Sequence, residues 1–266
     1  MAPRYREKGL QAPVSQQIRA RARATSATSG EAFEKLPKNQ AVSCGAALGT
    51  VIANKETSLG VPHAVEPRAI RRRLSTALRR KDCKNLILAT QHAVLIGRPL
   101  NRMLTIHFDA AGIVDPVNAI GKLLKLMGDW LRCYNTQITA VWVRESGLEK
   151  GEHVHILLSV PPNKIEAFNR RQRSWFKRLG ASWRKGVYLS RPIGPHLRTA
   201  FNDLSADLYQ QELSGALSYL LKGADDEAQK AEGLRRCEPG GEVSGKRCGT
   251  TENIGKTARD RFNRLK

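Results

Sequence analysis

Two short segments alternate strictly between apolar and polar side chains, and they restrict the possible folds more than any other feature. In residues 102–109 (RMLTIHFD), Leu104, Ile106 and Phe108 fall on one side and Met103, Thr105 and His107 on the other. That is the period of a strand with one face on a core. Residues 153–160 (HVHILLSV) repeat the pattern, and the β-rich stretch 137–145 (QITAVWVRE) precedes them across a Gly-containing loop. The pair predicts an antiparallel hairpin. Between the first strand and this hairpin, Asp115-Pro116 is a helix start, and Ile120, Leu123, Met127, Trp130 and Leu131 share one helical face. After the hairpin, Asn163 and Glu166 have the spacing of a capping box. Ile165, Phe168, Trp175 and Leu179 supply that helix's face and Gly180 its stop. A short strand over 186–190 and a helix over 204–221 follow. The order β-α-β-β-α-β-α predicts an α+β fold: a ferredoxin-like or RRM-like split β-α-β antiparallel sheet with an additional helix laid on afterwards.

Charge sets the kind of partner. Lys and Arg number 45 against 24 Asp and Glu, a net charge of +21, which is too large for an ordinary metabolic enzyme and points to a polyanion. The organisation expected is a disordered basic arm (1–60), a basic helical segment (61–100), a folded domain (101–226) and a basic tail (227–266) with partial order at best. Within the second piece, Ile70, Leu74 and Leu78 recur at helical spacing among arginines over 66–84, the pattern of an amphipathic basic helix. No run reaches the ~18 apolar residues of a membrane span, so no membrane contact is expected. The five cysteines are scattered without a C-x-x-C pair, which argues against a disulfide framework and fits a reducing cytoplasm.

The chemistry-bearing residues come in two pairs. His153 and His155 sit at i and i+2 of a strand, on the same face and about 6.5–7 Å apart along it. Two imidazoles so placed can share a metal ion. Glu145 ends the preceding strand, where a hairpin can set its carboxylate beside them, making a three-ligand site with open positions. Tyr219 and Lys222 lie three apart in SGALSYLLKGAD, one helical face. A tyrosine hydroxyl can attack phosphorus, and a neighbouring ammonium favours the phenolate and steadies phosphate charge. Taken alone, each pair also has a plainer reading: incidental histidines on a strand, and a core tyrosine beside a lysine that reaches out to solvent.

Together, the strand LTIHFD, the segments VWVRE and GEHVHILLSVP, and the helix SYLLKGAD resemble the HUH endonucleases, and among them the rolling-circle replication initiators of small plasmids and single-stranded DNA phages. The resemblance covers roughly residues 101–225. It implies that His153, His155 and Glu145 hold a divalent metal, Mg²⁺ or Mn²⁺, that Tyr219 is the nucleophile and Lys222 its electrostatic assistant. It also implies a bacterial cytoplasmic protein acting on single-stranded or origin DNA with a host helicase and polymerase. The tyrosine follows the His pair, as in replication initiators and single-tyrosine transposases. Gly215 and Gly223 stand four residues either side of Tyr219, so no second adjacent nucleophile is present. Tyr209 is roughly 80° around the helix and is not counted.

A third region suggests a binding surface. Residues 170–185 interleave basic and aromatic side chains; Trp175 reads as a core anchor, leaving Arg170, Arg171, Arg173, Lys177 and Arg178 exposed for phosphate contact. Residues 240–246 (GGEVSGK) nearly spell a phosphate loop, but Arg247 stands where Ser or Thr is needed and no strand precedes it, so no nucleotide cofactor is expected. The same motifs leave two other readings: a transposase or mobilisation nickase, and a non-catalytic RRM-like nucleic-acid-binding protein.

Overall fold

The computed structural model describes residues 73–194, 203–235 and 238–265. The expected N-terminal arm, with Ile70, lies outside them. A two-stranded ribbon pairs β1 (Leu74–Ser75) with β6 (Val243–Ser244). The main sheet is antiparallel and consists of β2 (Arg102–His107), β3 (Ala140–Gly147), β4 (Gly151–Leu158), β5 (Tyr188–Pro192) and β7 (Cys248–Thr250). Their order across the sheet is β5-β2-β4-β3-β7. The helices are α1 (Arg80–Leu95), the single turn α2 (Phe108–Ala111), α3 (Pro116–Arg132), α4 (Ile165–Arg178), α5 (Asp203–Leu220), α6 (Asp226–Glu232) and α7 (Lys256–Arg264).

The alternation seen in the sequence divides the sheet into two faces, each with its own core. Leu104, Ile106, Val154, Ile156, Leu158 and Trp142 point to the side occupied by α3 and α4, where they meet Ile120, Leu123, Met127, Phe168 and Trp175. Trp175 is therefore a core anchor, and it stacks edge-on with Trp130, ring centroids 5.7 Å apart. α3 starts as expected: Pro116 occupies its first turn and the Asp115 carboxylate accepts from Asn118 N at 3.2 Å. The opposite face, with Val141, Val143 and Leu157, is covered by Leu86 and Ala89 of α1 and by Leu213, Leu217 and Leu220 of α5.

Several expectations need correction. The helix placed over 66–84 begins only at Arg80. Leu74 is a strand residue, 57% exposed, and Leu78 is buried in a bridge to Ala224. The helix that does form turns Cys83, Leu86, Ile87, Ala89, Thr90 and Ala93 inward, so its role is to cover the sheet. The Arg-rich flank obscured this face because its apolar spacing continues in a different phase past Arg80. The stretch after 226 also contributes ordered structure: β7 extends the main sheet, β6 pairs with β1, and Ile254 is fully buried. Asn163 does not cap α4. It lies in a 3-10 turn, Pro162–Lys164, and Lys164 precedes the helix without a side-chain cap, because Pro161-Pro162 already fixes a tighter turn. Gly180 ends α4 at φ +74°, as expected. The last expected strand is displaced to Tyr188–Pro192.

If α1 is core, Leu86→Ala should destabilise the protein by about 2–5 kcal/mol, while Lys84→Ala on its exposed face should stay within about 0.5 kcal/mol. Urea denaturation of the two variants measures the difference.

Candidate active site

The register of the three central strands assembles the site. β4 lies between β2 and β3, so His107, His153 and Glu145 form one cross-strand row. Thr105, His155 and Val143 form the row two residues along. The β3–β4 turn is held from β2's end: the Asp109 carboxylate accepts from Glu152 N at 3.0 Å. Gly151 has φ +61°, and a side chain there would run into that carboxylate. Tight pairing of the hairpin at this point puts Glu145 directly beside His153.

Each imidazole is oriented through its Nδ1. His153 Nδ1 is 3.0 Å from Gly151 O, an oxygen that can only accept, so in this bond Nδ1 carries the proton. His155 Nδ1 is 2.9 Å from Thr105 Oγ1. Both Nε2 atoms then face the same carboxylate: Glu145 Oε2 is 3.4 Å from His153 Nε2 and 3.6 Å from His155 Nε2. Anchoring the far nitrogen is how proteins aim histidine ligands.

Tyr219 is in the last turn of α5, and Lys222 in the turn that ends it. That turn is fixed by its neighbour before α1: Leu78 N donates to Gly223 O at 2.8 Å and Asp225 N to Leu78 O at 2.9 Å. The Tyr219 ring stands edge-on to His155, centroids 4.9 Å apart. The Lys222 ammonium lies 4.8 Å from the Tyr219 ring centre, 3.2 Å from Glu145 Oε2 and 2.8 Å from Glu238 Oε2. These groups line a cleft of about 1050 Å³, together with Met103, Leu189 and Arg191.

Glu145 is only 3% exposed. Burial alone would raise its carboxyl, but the adjoining His153 and His155 and the charge of Lys222 override this and hold it at about 2. His155 is pushed below its usual value, chiefly by burial. His107 is also lowered by burial, and further by His153, whose ring lies 5.3 Å away centre to centre. Burial pulls the Lys222 ammonium down, yet Glu238 and Glu145 together keep it above its ordinary value.

The donor set fits a divalent cation. Glu145, His153 and His155 offer ligand atoms all within 4.8 Å of one another, the one such group among the described residues. Glu145 Oε1 and His155 Nε2 are buried without a hydrogen-bond partner, which leaves both open to a cation. Two nitrogens and one carboxylate suit Mn²⁺, Co²⁺ or Zn²⁺ readily, and Mg²⁺ less well. The three residues thus form a candidate metal centre, consistent in general terms with a metal-assisted nuclease site.

Other expected site residues are placed elsewhere. Arg170, Arg171, Arg173, Lys177 and Arg178 are exposed on α4, which packs on the face of the sheet opposite the cleft. The fold does not bring them to the metal centre. Tyr209 is buried, donates to Leu100 O at 3.2 Å, and burial drives its hydroxyl far above the usual range. Residues 240–246 form no phosphate loop: β6 lies within the segment and β7 follows it, with no helix between them. Sequence reasoning missed Thr105 and Glu238. Thr105 shares a strand face with His107, a signal that was present; nothing near Glu238 marks it. No protein-family model, curated protein or solved structure matches the chain.

Replacing Thr105 by Val keeps the shape and removes the anchor of His155. Mn²⁺ affinity, measured by isothermal titration, should fall about 10–100-fold with the melting temperature little changed.

Proposed function

We propose that the cleft is the active site of a single-tyrosine endonuclease of the HUH class, which nicks one DNA strand at an origin to start rolling-circle replication. The observation that carries this reading is the edge-on contact of Tyr219 with the metal-centre residue His155, 4.9 Å between ring centres. A candidate nucleophile and a candidate metal centre thereby share one cleft. The strand order supports a ferredoxin-like plan, because β4 inserts between the two strands that α3 connects.

In this mechanism Tyr219 Oη forms a bond to phosphorus as the bond from phosphorus to the 3′ oxygen breaks. The phenolic proton is released and the leaving oxygen ends protonated. The products are a 5′-phosphotyrosine and a free 3′-hydroxyl, so the energy of the phosphodiester is retained for rejoining without a nucleotide. Lys222 steadies negative charge on the phosphate and beside the phenol. His155 and Thr105 fix where the tyrosine ring lies. A bound Mg²⁺ or Mn²⁺ would supply Lewis-acid polarisation of a non-bridging phosphate oxygen, held by Glu145, His153 and His155. A transposase or mobilisation nickase would run the same chemistry on other DNA ends. At an origin, unwinding and synthesis then fall to a host helicase and polymerase.

Tyr219→Phe should abolish both nicking of a single-stranded origin oligonucleotide and the denaturation-resistant protein–DNA adduct. Cleavage undiminished in that variant would sink the mechanism. Chelation should remove activity and added Mn²⁺ restore it, whereas a purely binding protein would show no dependence on either.

On this reading the α4 cluster grips DNA backbone away from the chemistry. Neutralising Arg170, Arg171 and Arg173 should flatten the salt dependence of single-strand binding by about 0.7 in log–log slope for each phosphate that is no longer neutralised. Single-turnover cleavage at saturating DNA should be unchanged.

A further inference from the structure

Lys222 is shared between two carboxylates of different character. Glu145 is buried among the metal-centre residues, while the Glu238 side chain is 42% exposed at the cleft mouth. The ammonium is 3.2 Å from the first and 2.8 Å from the second. Glu238 is also tied to Lys222 through the main chain, its N donating to Lys222 O at 2.9 Å.

The strap that carries Glu238 is held by contacts independent of the ammonium. Ser146 N donates to Gly240 O at 2.9 Å. The buried guanidinium of Arg247 donates to Gly240 O at 3.2 Å and Ser75 Oγ at 2.9 Å, and also bonds Gly241 O and Ser75 O. The strap approaches closely: a side chain on Gly223 would meet Gly240 Cα at 3.1 Å, and Gly241, at φ +63°, sits directly against Ser146 O. Glu238 would therefore keep its place if the ammonium shifted.

We infer that Glu238 is a positioning residue that receives the Lys222 ammonium when a divalent cation takes the Glu145 carboxylate. This rests on the metal-centre reading. An ammonium and a dication both neutralise Glu145, and they repel each other strongly at such short range. Without a second anion, binding of the cation would leave Lys222 largely buried, unpaired and repelled. With Glu238 beside it, a small shift moves Lys222 from a shared to a single partner and leaves it near the Tyr219 ring. Lys222 thus holds the buried carboxylate before the metal binds, and Glu238 keeps it in the cleft afterwards.

The test is Mn²⁺ affinity of the full chain, read by the loss of the free-ion electron paramagnetic resonance signal. The parent is compared with Lys222→Gln, Lys222→Met, Glu238→Gln and the Lys222→Gln/Glu238→Gln pair, each checked by circular dichroism. Removing the ammonium should tighten Mn²⁺ binding, and Glu238→Gln alone should weaken it, each by about fivefold or more. In the double variant the Glu238 change should have little further effect, because its partner is gone. If Glu238→Gln weakens binding equally with and without Lys222, Glu238 acts only through its own charge and the inference is overturned. If either Lys222 variant folds and binds Mn²⁺ no more tightly than the parent, the inference fails while the metal centre stands. A parent that binds no Mn²⁺ overturns both.

Discussion

The arrangement depends on one buried carboxylate. An ionised Glu145 at 3% exposure loses several kcal/mol of hydration, and only close, well-aimed partners offset that. Each nearby part of the chain supplies one. β4 sets both imidazoles against it, β2 steadies one of them through Thr105, and the end of α5 brings the Lys222 ammonium. Even so, Oε1 has no hydrogen-bond partner, so the constellation is incomplete as a purely structural network. A protein using this cluster only for stability would do as well with apolar side chains of similar volume. The remaining unsatisfied atoms give the site its capacity for a cation.

This constraint explains why the C-terminal stretch is integral to the fold. Two arginines are buried near it. Arg144 is 1% exposed, paired with Glu152 and donating to Ser244 O at 3.0 Å and Lys246 O at 2.9 Å. Arg247 fastens the strap to the segment before α1. Guanidinium groups bond several carbonyls at once in a fixed plane, which suits a stretch with little regular secondary structure of its own. The clamp places Glu238, Pro239 and Gly241 along the cleft. Part of the +21 charge is thus committed to holding the site together. The exposed basic residues of α4 lie on the other face of the sheet from the cleft.

The centre of the site was legible in the sequence because strand geometry is nearly deterministic. An i, i+2 pair must share a face, and a short hairpin must return its last residues beside its first, so His153, His155 and Glu145 could be grouped without coordinates. The Tyr219–Lys222 pair was legible as a spacing, and Trp175 as core from its periodicity. What the sequence did not reveal depends on long-range contact. Glu238 meets Lys222 across 16 residues and Arg247 meets Ser75 across 172, and no local pattern encodes either. The true start of α1 was hidden for a different reason. Leu74 and Leu78 are spaced like a helical face, yet Leu74 pairs in a strand and Leu78 packs under the turn after α5, so a local period was overridden by tertiary pairing.

The break at the end of α5 settles how a tyrosine and a lysine three residues apart can serve different partners. In an uninterrupted helix both side chains would project from one face and compete for the same space beside His155. Here the helix ends at Leu220, and residues 221–223 turn under the Leu78 bridge. Tyr219 stays against the His155 ring while Lys222 reaches past it to Glu145 and Glu238. Thr105, His155 and Tyr219 then form a continuous chain of contact from β2 to α5. One imidazole ring is thus the point at which a candidate ligand and the candidate nucleophile meet.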